Sequence, residues 1–162
     1  MTQDERLEFL LRYLLHERKE YADIHVPDNI SEKRRLLRSL MNVRPPVPAG
    51  AEFLAVQDAY LQGRLSERGI TGLGDLKPAQ PGLYLWQGDI TTLTVDAIVN
   101  AANTQMQGCF APCHGCIDNA IHTYAGVQLR LECAGIMRKQ GHEEETGRAK
   151  ITKSYNLPCR FV

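Results

Sequence analysis

Apolar residues in the first eighty positions recur at helical spacing. Leu7, Leu10, Leu11 and Leu14 fall at i, i+3, i+4 and i+7, a single stripe with Glu, Lys and Arg opposite. Asn29-Ile30-Ser31 supplies an N-cap for a second helix carrying Leu36, Leu37, Leu40 and Met41. The run Val43-Arg44-Pro45-Pro46-Val47-Pro48 stops it, because proline has no N–H to give the helix ladder. A third helix is predicted from Ala51 to Arg68, with Phe53, Val56 and Tyr60 on one side and Gly69 at its end. Residues 1–80 thus read as a helical extension whose role is packing.

The pattern changes after Gly72-Leu73-Gly74. Gly82 to Gln87 reads as a strand closed by Gly88-Asp89. Val95 to Val99 reads as a second strand, short and apolar as in a sheet covered on both faces. From Ile117 to about Lys139 the spacing predicts one helix, with Ile117, Ile121, Val127, Leu129, Leu131 and Ile136 as its apolar positions. A polar turn over 141–147 leads to a third strand, Lys150 to Tyr155. Strand, helix, strand in that order is the mark of an α/β unit with parallel crossovers. Residues 81–162 form this second region.

Composition narrows the field. The 162 residues carry a formal net charge of zero, which gives no electrostatic argument for nucleic acid or an anionic membrane as partner. No apolar run approaches the ~20 residues of a membrane helix. The start, Met1-Thr2-Gln3-Asp4-Glu5, is polar and acidic, unlike a secretory signal. The five cysteines are odd in number and clustered, unlike a disulfide framework. A reducing, cytoplasmic home is the expectation.

Three of those cysteines lie in Gly108-Cys109-Phe110-Ala111-Pro112-Cys113-His114-Gly115-Cys116, with a histidine between the last two. Thiolate and imidazole are preferred zinc ligands, and a short loop can supply several. From spacing alone a structural zinc site, a catalytic zinc site and metal-free cysteines all remain open. Pro112-Cys113-His114-Gly115-Cys116 also fits half of the zinc deaminase signature, but the one H-x-E, His142-Glu143-Glu144, lies downstream rather than upstream. Cys133 and Cys159 read as small buried hydrophobes, His16 and His25 as surface residues, and His122 as a core or supporting histidine. Asn100-Ala101-Ala102-Asn103 ends an apolar strand. Its alanines permit close backbone approach, and its amides offer donors and acceptors for hydroxyls, although a plain polar turn would look the same.

Taken together, several segments resemble a macrodomain, the ADP-ribose-binding α/β/α sandwich. They are Gly88-Asp89-Ile90-Thr91, Asp96 to Asn103, Asp118-Asn119-Ala120-Ile121-His122 leading to Ala125-Gly126, and Thr146 to Thr152. The Cys/His insertion is similar to that of the zinc-dependent macrodomains of bacteria and fungi, which hydrolyse ADP-ribose from modified proteins. The resemblance implies an α/β fold preceded by the helical extension. It implies Zn²⁺ on Cys109, His114 and Cys116, with Cys113 an extra cysteine. Asp89 would accept a hydrogen bond from the adenine amine, with Ile90 against the base. Asn100 and Asn103 would contact the ligand, Asn103 at the distal ribose, and Asp118 would assist catalysis with Asn103. The partner implied is ADP-ribose or an ADP-ribosylated protein, for cleavage or, in a non-catalytic reader, for binding alone. Family members continue with a further strand and a second glycine-rich phosphate loop. Residues 81–162 are therefore expected to form the N-terminal half of the fold, with weak or no hydrolysis by residues 1–162 alone.

Overall fold

The computed structural model describes residues 1–162. Three helices open the chain: α1 (Gln3–His16), α2 (Ile30–Val43) and α3 (Ala51–Arg68). Each start is set locally. The Thr2 hydroxyl accepts from the Glu5 N–H while the Glu5 carboxylate accepts from the Thr2 N–H, a reciprocal cap on α1. The Asn29 side chain accepts from the N–H groups of Ser31 and Glu32 at the start of α2. The predicted stripe is buried: Leu7, Leu10, Leu11 and Leu14 of α1 pack with Leu37, Leu40 and Met41 of α2 and Phe53, Tyr60 and Leu61 of α3. The Pro-rich turn after α2 is fixed by Arg44. Its guanidinium pairs with both carboxylate oxygens of Glu17, at 2.8 and 2.7 Å, and donates to the carbonyls of Val47 and Pro48.

The α/β part, with small sheets, begins before residue 81. β1 (Thr71–Gly72) lies parallel to β4 (Leu93–Thr94), and β2 (Pro78–Gln80) pairs antiparallel with β3 (Leu83–Tyr84). Helices α4 (Ile117–Ala125) and α5 (Val127–Gln140) follow. Ile121, Ala125, Leu129 and Cys133 from these helices join Ile98, Leu157 and Cys159 in a second core. Cys133 and Cys159 are buried, and His16 and His25 are exposed. No helix is long and apolar enough to cross a membrane.

Three sequence expectations are corrected. The single helix over 117–139 is two helices broken at Gly126, whose φ of 95° suits glycine alone. A Cβ there would lie 2.6 Å from Nε2 of Gln57. The break lets Gln57 reach in from α3 and accept from the Val127 N–H at 3.0 Å. The strand over 82–87 shrinks to Leu83–Tyr84, in a hairpin with a segment that carried no strand pattern. No strand forms over 95–99 or 150–155, and each expected strand is reduced to a single bridge to Phe161. Phe161 lies between them, in a parallel bridge to Ala97 and an antiparallel bridge to Lys153. The Ile98 N–H donates to the Phe161 carbonyl at 3.1 Å, and Thr152 and Val162 exchange bonds of 2.8 and 3.2 Å. Ile98 is 5% exposed and Val99 84%, so the apolar run is covered on one face rather than both.

One buried cation ties the regions together, and one buried histidine backs the Cys/His loop. Arg130 of α5 is 4% exposed and donates from Nη1 to the carbonyls of Met41, Asn42 and Arg44, and from Nε to Gln107. It therefore closes the C-terminus of α2, where unpaired carbonyls and the helix dipole favour a cation. Burial lowers its pKa to about 10, which still leaves it charged. His122 of α4 is buried against Gly108, and a Cβ on that glycine would meet the imidazole at 2.7 Å. Burial, with Arg130 adding to it, lowers the His122 pKa to about 3, so the ring is neutral.

Two outcomes follow. Arg130→Lys keeps the charge but loses the forked donors. It is expected to cost about 2–4 kcal/mol in urea unfolding, through carbonyls left without partners. His122 takes up a proton in the unfolded chain below its ordinary 6.5 but in the folded chain only near 3. Its contribution to stability is therefore complete above pH 6.5 and falls as the pH drops toward 3. His122→Gln should flatten that part of the stability–pH curve, measured by denaturant titration of the metal-free protein.

Candidate functional site

The Cys/His loop is shaped by its backbone and by two helices beneath it. Gly108 enters with φ 81°, close against His122. Arg130 holds the Gln107 carbonyl and stacks its guanidinium over the Phe110 ring, 4.2 Å from the centroid. Cys113 adopts a left-handed conformation, φ 52°, and its N–H donates to Asn42 Oδ1 at 2.9 Å. Its Sγ lies 3.2 Å from Ser39 Oγ on α2. Cys113 thus faces the helical extension. Cys116 caps α4, its Sγ accepting from the Asn119 N–H at 3.4 Å. Turning Cys113 aside leaves Cys109, His114 and Cys116 with donor atoms all within 4.8 Å of one another.

Tetrahedral zinc with S and N donors sets those atoms roughly 3.5–3.8 Å apart. The observed trio is within a small closure of that arrangement, and its two sulfurs and one imidazole suit zinc chemically. Three ligands leave a fourth position open, unlike a closed structural site.

A polar frame supports the loop. Asn119 is fully buried. Its Oδ1 accepts from Arg38 Nε and Nη2 at 3.1 and 2.7 Å, and its Nδ2 donates to the Ala111 carbonyl at 3.0 Å. Arg38 also donates to the His114 carbonyl at 3.0 Å. Asn42 completes the frame by donating to Thr123 Oγ1 at 2.9 Å. Sequence reasoning missed Arg38, Asn42 and Arg130, and named Asn119 only as part of the Asp118 to His122 motif. The one available signal was Asn42, an amide directly after the apolar Leu40-Met41 pair of α2.

Asp118 lies in the first turn of α4, buried, and its Oδ1 accepts from Asn100 Nδ2 at 2.8 Å. Burial raises its pKa, opposed by that bond and by the charge of Arg130. The same Oδ1 is 3.5 Å from His122 Nε2. With the imidazole neutral, this contact is not an ion pair. Asn100 Oδ1 and His122 Nδ1 are both buried without a hydrogen-bond partner. Asn100, Ala101, Ala102 and His122 wall a cavity of about 420 Å³, with Lys150 and Ile151 among the residues across it. Asn103 is exposed, with Nδ2 3.5 Å from the Gly108 carbonyl and Oδ1 accepting from the Gln105 N–H.

The sequence-derived residues therefore fall into two groups. Cys109, His114 and Cys116 share one loop with Asn103 beside its start, and the Asn100–Asp118 pair sits at the helix it leads into. Asp89 and Ile90 come from a separate segment, Asp89 capping the short turn Ile90–Thr92, which packs against α4. Asp89 Oδ1 accepts from the Thr91 N–H and hydroxyl, and Oδ2 from Arg68 at 2.8 Å. Partial burial pushes the Asp89 pKa up, but the two Thr91 bonds and Arg68 outweigh it and hold the carboxyl below its ordinary value. Ile90 packs on the second core.

Comparison with known proteins is consistent with this arrangement. The family model described as the Macro domain matches residues 99–162, which hold the Cys/His loop and Asp118. A protein-ADP-ribose hydrolase of Treponema medium is 60% identical over 166 aligned positions, covering 100% of this chain and 64% of the relative. A protein-ADP-ribose hydrolase of Staphylococcus aureus (strain MRSA252) is 49% identical, covering 97% of this chain and 59% of the relative. A Fusarium oxysporum f. sp. cubense protein named a probable bifunctional ADP-ribose hydrolase/ADP-ribosyltransferase is 41% identical over 78% of this chain and 23% of its own length. The chain thus spans about three fifths of the length of its bacterial relatives, and its residues 99–162 carry the Macro domain match.

Proposed function

We propose that this chain forms the metal-bearing part of a zinc-dependent hydrolase that releases ADP-ribose from modified proteins. The observation that carries the reading is the convergence of Cys109, His114 and Cys116 directly before a buried Asp118 held by Asn100. The names of the relatives give the substrate class. Cys109, His114 and Cys116 would hold the zinc, which supplies Lewis-acid polarisation of an oxygen at the distal ribose.

The chain's own residues supply the rest. Asp118 orients an attacking water and takes its proton, and the Asn100 amide fixes the carboxylate that does so. Water adds its oxygen to C1″ of the distal ribose as the bond to the protein side chain breaks, and a proton passes to that side chain. Asn103, exposed beside Gly108, donates to ribose hydroxyls. The first turn of α4 offers backbone N–H groups and a dipole that favour the diphosphate. Asp89 has one acceptor site left after Thr91 and Arg68 take the others, which suits an exocyclic adenine amine, with Ile90 beside it. The five free thiols accord with a reducing, cytoplasmic setting.

Metal analysis of the purified protein should find stoichiometric zinc, lost in Cys116→Ala and kept in Cys113→Ala. Retention of zinc by Cys116→Ala would overturn the ligand assignment, whatever the turnover. Asp118→Asn should keep zinc and ADP-ribose binding while release of ADP-ribose from a modified protein falls about 10²-fold or more. Unchanged release by that variant would remove Asp118 from the chemistry.

A further inference from the structure

A second cavity, of about 380 Å³, opens between α2, α3 and α4, where the helical extension meets the α/β region. Its lining is unusual for a chain with no net charge. Arg34, Arg35, Arg38 and Arg64 all border it, together with the rings of Tyr60 and Tyr124. Opposing charge is scarce. Glu67 is shared between Arg34, at 3.5 Å, and Arg64. Arg38 spends its donors on neutral oxygens of Asn119 and His114. No acidic residue lines the cavity itself.

Guanidinium groups gathered without matching carboxylates repel one another and leave donors to fill. Arg34 Nε is buried and has no hydrogen-bond partner, an unmet donor that a folded protein rarely keeps. A phosphoryl group supplies both the missing charge and several acceptor oxygens. Tyr60 is buried, and Arg68 already stacks on the Tyr124 ring, 3.6 Å from its centroid. These rings join Leu37, Met41 and Leu61 as an apolar wall that suits a ring attached to the phosphate. The volume is within the range of small-molecule sites.

We propose that this cavity binds a small phosphate monoester carrying a planar ring, and that it is a site separate from the one that holds Asn103 and Asp118. The inference does not rest on the hydrolase reading, since it uses neither the zinc ligands nor the Asp89 turn. Occupancy would bring anionic charge next to Arg38, which grips Asn119 and the His114 carbonyl. A ligand here is therefore placed to act on the loop above it.

The test is calorimetric titration of the purified protein, with and without prior treatment by a metal chelator, using inorganic pyrophosphate, phenyl phosphate and AMP. AMP and phenyl phosphate should bind saturably, pyrophosphate more weakly. The double variant Arg34→Gln/Arg64→Gln should weaken the phenyl phosphate and AMP affinities at least about tenfold, while Asp89→Asn leaves phenyl phosphate binding unchanged. Circular dichroism and zinc content identical to the parent would establish that the double variant is folded. If it is not, the single Arg64→Gln carries the comparison, with a smaller loss expected. Three results would overturn the proposal: no saturable binding of phenyl phosphate, binding indifferent to the arginine variants, or binding abolished by Asp89→Asn.

Discussion

The buried guanidinium of Arg130 is the interaction on which the rest depends. It meets three carbonyls at the end of α2 and one at Gln107, and it lies under the Phe110 ring. A charge this deep is tolerable only because the closing carbonyls of a helix form a ready-made negative pole. One side chain from α5 thereby fixes the end of α2, the entry to the Cys/His loop and the electrostatic setting of Asp118 and His122. Lysine, with a single point charge, cannot make the same fork.

This coupling gives the helical extension a second role beside packing. Its own core of leucines and aromatics makes it a stable body. Its polar contribution is directed at the loop: Arg38 to Asn119 and His114, Asn42 to Cys113 and Thr123, Ser39 to the Cys113 sulfur. Held on the α2 side in this way, Cys113 is kept out of the cluster of Cys109, His114 and Cys116 that could hold a metal ion. A metal site on a loop is only as well defined as the groups that orient it. Here those groups come largely from a different region of the chain.

Burial also sorts the titratable groups near the loop. His122 is driven neutral, so the Asp118–His122 contact at 3.5 Å is not an ion pair. Asn100 spends its amide N–H on Asp118 and keeps an unpartnered oxygen, and Nδ1 of His122 is likewise unpartnered. Two orphaned polar atoms within a few residues of a buried carboxylate are costly in a finished core. They are what a ligand-binding cleft would present.

Much of this was legible in the residues. The 3.6 periodicity placed α1, α2 and α3 because helical contacts are local and each apolar stripe repeats every turn. The α/β character, the Cys/His loop and Asp118 at a helix start could likewise be read from short stretches. The break at Gly126 could not, because the apolar spacing runs through it and the reason for it, Gln57, lies 69 positions away in the chain. Nor could the insertion of Phe161 between the two expected strands, since strand pairing is set by partners distant in sequence and not by the strand's own pattern. The amino-acid order by itself determined which residues are the candidates for chemistry. Only the tertiary structure decided which cysteine stands aside and which arginines hold the loop, because those choices are made by side chains of α2 and α5 reaching across the fold.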